Sequence, residues 1–427
     1  MNYTARIKKV QSFLKEGELL LLFGAGMQTR NSDVEYKFRQ DSDFYYLTGH
    51  DEPDAVLVLA RGYSAAFVLP REKAKEIWTG TRVGREAVKK RLGLTESFEL
   101  GEWDKKKEEL FTGKHTLWYF FGNNPERDIE ITGLCATLAR KLRDGRVGPT
   151  SIRRPVFLHE MRMVKSPEEI GKIRTAAGIT RDAHIRLMKE TRPGMNECEL
   201  EAILESEFLR SGAWGGGYGH IVAGGKNATI LHYTANNQPL KKEDLVLVDS
   251  GAEKDYYTAD VTRTFPVGER FSREQQEIYE IVLNAQKAAI DKCRAGNTFA
   301  AVHESALQVI VKGLVGLGLL KGTVSSNIKK GTYKKYYMHK IGHWLGMDVH
   351  DVGSYFSGGK SRALKNGYVL TVEPGLYFDT EDKSIPKKYR GIGIRIEDNI
   401  LVKGNTPENL TEMIPKEIQD IEALRII

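Results

Sequence analysis

The chain has 427 residues, 41% of them hydrophobic, which is enough to bury a large core and more than one ordinary domain usually needs. Its longest apolar runs, such as Leu19 to Phe23 and Val246 to Val248, are far too short to span a bilayer, and no basic segment followed by a long apolar one opens the sequence, so a cytoplasmic protein with no membrane partner is expected. The net charge of +7 raises nucleic acid as a partner, but the lysines scatter in short groups (Lys105 to Lys107, Lys329 to Lys330, Lys334 to Lys335), which reads as a solvated surface with no nucleic-acid partner.

Residues 1–164 alternate short apolar runs (Leu19 to Phe23, Ala55 to Leu59, Ala65 to Leu69, Trp118 to Phe121) with helical stretches, the pattern of an α/β domain. Gly24 and Gly26 look like half of a dinucleotide fingerprint, but Thr29 stands where the third glycine is needed, and a turn is the reading. Ser166-Pro167-Glu168-Glu169 is a capping box with proline at the first helical position, and it opens both a helix reaching roughly Glu190 and a second domain over 165–427. A further helix is capped by Asn196 and stopped by Gly212, with Leu200, Ile203, Leu204 and Phe208 on one face. The pattern recurs: Ser272 starts a helix aligning Ile278, Val282, Ala285 and Ala289, Arg294-Ala295-Gly296 breaks it, and Ala301 to Leu319 forms another. Each pair precedes β-type sequence, which suggests a duplicated unit of two helix pairs on one antiparallel sheet. Cys135, Cys198 and Cys293 form no CxxC pair, and the odd count suits inert, buried thiols in a reducing compartment.

Leu245 to Asp249 reads as a buried strand ending in a carboxylate, and Tyr256 to Phe265 as its return partner around Glu253-Lys254-Asp255. A hairpin centred there sets Asp249 opposite Asp260, at ~5 Å between Cβ atoms, where two like charges repel. One of them is then protonated, or a cation lies between them, or solvent at an exposed hairpin end tolerates both. Glu373 follows the apolar run Tyr368 to Val372, and Glu397 sits in Gly393 to Asn399. Four carboxylates in apolar strand sequence would cost several kcal/mol each to bury as bare charges. Two divalent cations balance them, and His343 supplies a neutral nitrogen ligand. The donor set of four carboxylates and one imidazole favours a hard ion such as Mn²⁺, and zinc or cobalt could occupy the same cage.

These segments resemble the metal-dependent proline-specific peptidases of the pita-bread fold, most closely the aminopeptidase P family. The matching stretches are Ile230 to Tyr233, Asp249 to Gly251, Asp260 to Phe265, His339 to Gly353, Thr371 to Gly375 and Gly391 to Asn399, with Arg30 to Asp33 and Gln40 to Gly49 in the N-terminal domain. The resemblance implies an α/β N-terminal domain plus an α+β pita-bread catalytic domain. It implies that Asp249 chelates one metal, His343 and Glu373 the other, and that Asp260 and Glu397 bridge both, with a bridging hydroxide as nucleophile. Glu373 would also shuttle a proton to the leaving nitrogen, and His232 and His350 would bind the scissile carbonyl. His339, Tyr355 and Arg395 would shape the proline pocket, with Asp33 and Trp78 as further substrate contacts, Trp78 reaching a neighbouring subunit of a homodimer or homotetramer. The implied substrate is a peptide with N-terminal Xaa-Pro.

A prolidase cutting Xaa-Pro dipeptides shares the metal set; Trp344 and the N-terminal domain with Trp78 favour the aminopeptidase. A methionine aminopeptidase usually lacks such an N-terminal domain, and a creatinase-like enzyme lacks the metal carboxylates. A catalytically inactive pita-bread binding module would have lost ligands, and all five are present. His50, His115, His159, His184, His220 and His303 read as ordinary structural histidines. Gly215-Gly216-Gly217 and His220 depart from the family pattern and leave one wall of the site open.

Overall fold

The early apolar runs pair as the inner strands of one sheet. In the computed structural model, which describes residues 1–141 and 147–425, β1 (Glu18–Phe23), β2 (Val56–Ala60), β3 (Tyr63–Val68), β4 (Glu96–Glu99), β5 (Thr116–Trp118) and β6 (Ser151–Arg153) align in the order β4-β3-β2-β1-β5-β6. The three long strands pair antiparallel and the outer pairings are parallel. β2 is buried at every position, as a central strand covered on both faces must be. β4 and β6 are short and largely polar edge strands, so no apolar run announces them. This sheet belongs to a compact unit, Met1–Met161, whose core joins Leu21, Val58, Phe67, Trp103, Phe111, Leu117 and Ile131.

A second compact unit, Arg162–Ile427, contains the two helix pairs. Helix α1 (Pro167–Glu190) starts at the Ser166 and Glu169 capping box, and α2 (Glu197–Arg210) at an equivalent box of Asn196 and Glu199. Helix α3 (Arg273–Ile290) is boxed by Ser272 and Gln275. Helix α4 spans Phe299–Gly316, two residues earlier than its apolar spacing suggested, because Thr298 caps it by accepting from the Ala301 N–H. The β-layer is a set of short antiparallel ladders: β7 (Gly215–Gly216) with β10 (Ala252–Lys254) and β11 (Tyr257–Thr258); β8 (Ile221–Gly224) with β9 (Leu245–Asp249) and β12 (Thr262–Pro266); β13 (Val369–Val372) with β16 (Asp398–Leu401) and β17 (Glu408–Asn409); and β14 (Gly375–Tyr377) with β15 (Gly393–Arg395). One continuous apolar cluster joins helices and ladders, including Leu187, Leu204, Val246, Phe265, Val282, Ile310, Leu370 and Ile394.

The acidic hairpin turns one residue later than expected. Asp255 (φ 50°) and Tyr256 (φ 67°) both take left-handed conformations, the pattern of a tight two-residue type I′ turn, although neither is glycine. Asp249 therefore opposes Thr262, and Asp260 lies diagonally to it on the same strand face. Gly251 is required here, because a Cβ at that position would lie 1.9 Å from the Ala259 carbonyl oxygen. The expectation of three buried thiols also needs correction: Cys293 is buried, Cys135 is half-buried and Cys198 is exposed. Among the described residues no helix is long and apolar enough to cross a membrane.

Candidate metal centre

Two backbone junctions and one side-chain clamp assemble the site. Glu397 N–H donates to the Thr262 carbonyl, which sets β16 beside the acidic hairpin. The segment Ile341 to Leu345 runs along β13: Glu373 N–H donates to Ile341, Thr371 N–H to His343 and Leu345 N–H to Val369. Asn399 grips Asp260 from both sides, its Oδ1 accepting from the Asp260 N–H and its Nδ2 donating to the Asp260 carbonyl. His343 and His350 occupy irregular chain rather than a helix, with rings edge to face at 4.3 Å.

The resulting cavity, about 460 Å³, is lined by Asp249, Asp260, His343, Glu373 and Glu397, and by His232, His339, His350 and Arg395. One ligand atom from each of Asp260, His343 and Glu397 falls within 4.8 Å of the others. His343 Nε2 stands 3.2 Å from Asp260 Oδ2 and 3.7 Å from Glu373 Oε1. Its Nδ1 lies 3.0 Å from the Trp344 carbonyl, which can only accept, so Nδ1 carries a proton, and Nε2 faces the carboxylates, donating to them while the ring is charged and free to offer a lone pair once that proton is displaced. Glu397 Oε1 is buried and has no hydrogen-bond partner among the described residues.

Electrostatics point the same way. Burial pushes the Glu373 carboxyl up to about 7, and burial reinforced by Asp260, Glu373 and Asp249 carries Glu397 well above the usual range. Burial raises Asp249 too, partly countered by Arg395. Burial also pushes Asp260 up, but the hydrogen bond and charge of His343 overcome this and hold it low. His343, lowered by burial, is lifted by Asp260 and Glu373 to about 9. The cluster recruits positive charge. An orphaned carboxylate oxygen, an imidazole lone pair and crowded oxygens are donors that fit a divalent cation.

Several contributors escaped the sequence reading. The Tyr218 hydroxyl lies 2.7 Å from Asp249 Oδ1 and 2.5 Å from Asp260 Oδ1, and its one proton can serve one of them at a time. Its position beside the departing glycine loop was the only available signal. Thr262 donates to Glu397 Oε2 at 2.7 Å, and buried Arg263 donates to the Glu397 carbonyl and to Asp398. His220 bonds Ser250 Oγ and Glu205 Oε2. Arg395 reaches Asp249 Oδ2 at 2.6 Å, so its guanidinium is an internal countercharge of the acidic cluster as well as a wall of the cavity. Tyr355 is not among the lining residues: its ring stacks on Trp344 and its hydroxyl accepts from the Trp344 N–H. Asp33 and Trp78 are exposed in the N-terminal unit and are not among them either.

Residues 171–404 match metallopeptidase family M24, and residues 3–119 match the aminopeptidase P N-terminal domain. The chain belongs to family M24. It is a hydrolase of the metallopeptidase class, it has the aminopeptidase P fold, and its cofactor is a divalent metal. Relatives within the family include the Xaa-Pro aminopeptidase of Escherichia coli, 41% identical over 97% of this chain and 95% of that protein. The Xaa-Pro aminopeptidase of Haemophilus influenzae is also 41% identical, over 99% and 96%. Among solved structures, Pseudomonas aeruginosa aminopeptidase PepP superposes with a TM-score of 0.97 at 43% identity, covering 99% of this chain and 97% of that one. A glutamate-to-alanine variant of Escherichia coli aminopeptidase P in complex with substrate superposes at 0.95 and 40% identity, covering 100% and 98%.

Proposed function

We infer that this family M24 chain is a metal-dependent Xaa-Pro aminopeptidase, releasing the N-terminal residue from peptides with proline second. The observation that carries the reading is the convergence of Asp249, Asp260, His343, Glu373 and Glu397 on one cavity in a chain 41% identical, almost end to end, to Xaa-Pro aminopeptidases. Those five side chains would hold two divalent ions, Mn²⁺ by preference. Bound there, divalent ions supply Lewis acidity, lowering the pKa of water and polarising a carbonyl.

The remaining work falls to side chains. His232 and His350, exposed on the cavity wall, offer N–H donors to the scissile carbonyl oxygen as negative charge develops on it. The Xaa-Pro bond is a tertiary amide whose nitrogen must gain a proton to leave. Glu373, which lines the cavity beside the other ligands, is assigned to deliver it. His339, held by the Tyr377 hydroxyl that Arg395 also contacts, is assigned with Arg395 to the proline side of the site. Tyr355 is assigned to bracing the Trp344 backbone next to His343. A cytoplasmic homodimer or homotetramer belongs to the same reading, with Ile77 and Trp78 supporting it as apolar side chains 81% and 86% exposed.

The test is substrate choice. The Mn²⁺-loaded protein should release alanine from Ala-Pro-Ala-Ala and leave Ala-Ala-Ala-Ala nearly intact. Equal turnover of the two peptides would overturn the reading, and a preference for the dipeptide Ala-Pro would mark a prolidase instead.

A further inference from the structure

His232 sits on a long excursion between β8 and β9 that carries little regular structure, a single 3-10 turn over Gly225–Thr229. An exposed side chain on such a segment holds its place only if the chain around it is anchored. Leu231 and Tyr233, on either side, turn inward onto Ile221, Ala223, Ala228, Leu247 and Tyr377, while His232 faces the cavity. One side chain ties this excursion together. Glu197, the first residue of α2, is fully buried, and its carboxylate accepts four hydrogen bonds from neutral donors. Oε1 accepts from the Gly224 N–H at 2.8 Å and from Asn227 Nδ2 at 2.9 Å. Oε2 accepts from the Tyr233 hydroxyl at 2.7 Å and from the Gln238 N–H at 2.9 Å. A carboxylate has about four lone-pair sites, and all are used. The donors come from the start, the middle and the end of the excursion, and the helix N-terminus favours negative charge at this position. Burial and the bond to Glu197 push the Tyr233 hydroxyl up to about 12, so it remains a donor throughout the neutral range.

We propose that Glu197 is a positioning residue for the peptidase reaction, holding His232 in register with the scissile carbonyl through the Tyr233 hydroxyl. The proposal rests on the reading of His232 as a carbonyl-binding residue. It follows that the Tyr233 oxygen matters only while His232 is present.

Replacing Glu197 leaves buried donors unmet and endangers the fold, so the informative variant is Tyr233→Phe, which deletes one oxygen. Steady-state kinetics on Ala-Pro-Ala-Ala, metal content and thermal midpoint are measured for Tyr233→Phe, His232→Ala and the double variant, all Mn²⁺-loaded. Tyr233→Phe alone should lower kcat about 10-fold with KM little changed and metal content retained. On the His232→Ala background it should change nothing further, since the two substitutions remove one interaction. Unchanged kcat in Tyr233→Phe, or the same fold-loss on both backgrounds, would overturn the positioning role. Full activity in His232→Ala would instead overturn the carbonyl-binding reading, and the positioning role with it.

Discussion

Asp260 and His350 face the same cavity but make different demands on it. Asp260 is buried beside His343, gripped by Asn399 and contacted by Tyr218, so its charge is part of the balance that lets four carboxylates coexist. Asp260→Asn should therefore lose metal, measured by elemental analysis, and should melt at a lower temperature, because Asp249, Glu373 and Glu397 keep their repulsion without a shared cation. His350 is exposed and meets His343 only edge to face. His350→Ala should keep its metal and its melting temperature while kcat/KM falls by roughly 10²- to 10³-fold, or about 3 to 4 kcal/mol of transition-state stabilisation. A metal-depleted His350→Ala protein would make His350 a ligand. The four carboxylates that face the cavity stand out in the sequence because acidic residues inside apolar runs are physically anomalous. Tyr218 does not, because a tyrosine after a glycine run is anomalous in neither packing nor charge.

At the scale of elements, the segment that carries His343 and His350 is held from behind by an ion network. Arg162, just ahead of α1, reaches Asp348 Oδ2 at 2.7 Å and Asp351 Oδ1 at 2.6 Å, and Lys165 reaches Asp351 Oδ2 at 2.9 Å. Burial pushes the Asp351 carboxyl up, but Lys165 and Arg162 more than offset this and hold it below its ordinary 3.8. A depressed carboxyl pKa stabilises the fold above the ordinary value and ceases to do so as pH falls through the folded value. The contribution is thus complete at neutral pH and fades below about pH 4. Asp351→Asn takes from buried Lys165 its carboxylate and leaves Arg162 with Asp348, and should cost about 3 kcal/mol at pH 7 by urea denaturation, with the gap from the parent protein narrowing in acid. A gap independent of pH would show that packing, not charge, is what Asp351 contributes. The helix starts of the C-terminal unit were legible where a capping box lies at the start itself, as at Ser166, Asn196 and Ser272.

For the whole molecule, the metal reading predicts where stability is added. All five proposed ligands lie in the C-terminal unit, on or beside β9, β13 and β16, whereas the N-terminal sheet has a separate apolar core. Ligand binding stabilises only what unfolds when the ligand leaves. In hydrogen exchange, Mn²⁺ should raise amide protection in β9, β12, β13 and β16 and leave β1 and β2 unchanged. Chelation should reverse the difference and abolish peptide hydrolysis. Protection that does not respond to Mn²⁺ in those strands would remove the metal from this cavity.

The sequence by itself determined the boxed helix starts at Ser166, Asn196 and Ser272, the long apolar strands, the out-of-place carboxylates of the second half and the family, since each rests on neighbours in the chain or on residue types that are costly out of place. Only the tertiary structure decided the hairpin register, in which Asp255 and Tyr256 turn left-handed and set Asp249 against Thr262. It alone paired Arg395 with Asp249 across 146 residues, stacked Tyr355 on Trp344 and gathered the ends of one loop onto Glu197. The physical reason is range. Capping and periodicity act over one or two turns of chain, whereas the partner of a buried charge is whichever opposite charge or donor the packed fold brings within hydrogen-bond distance.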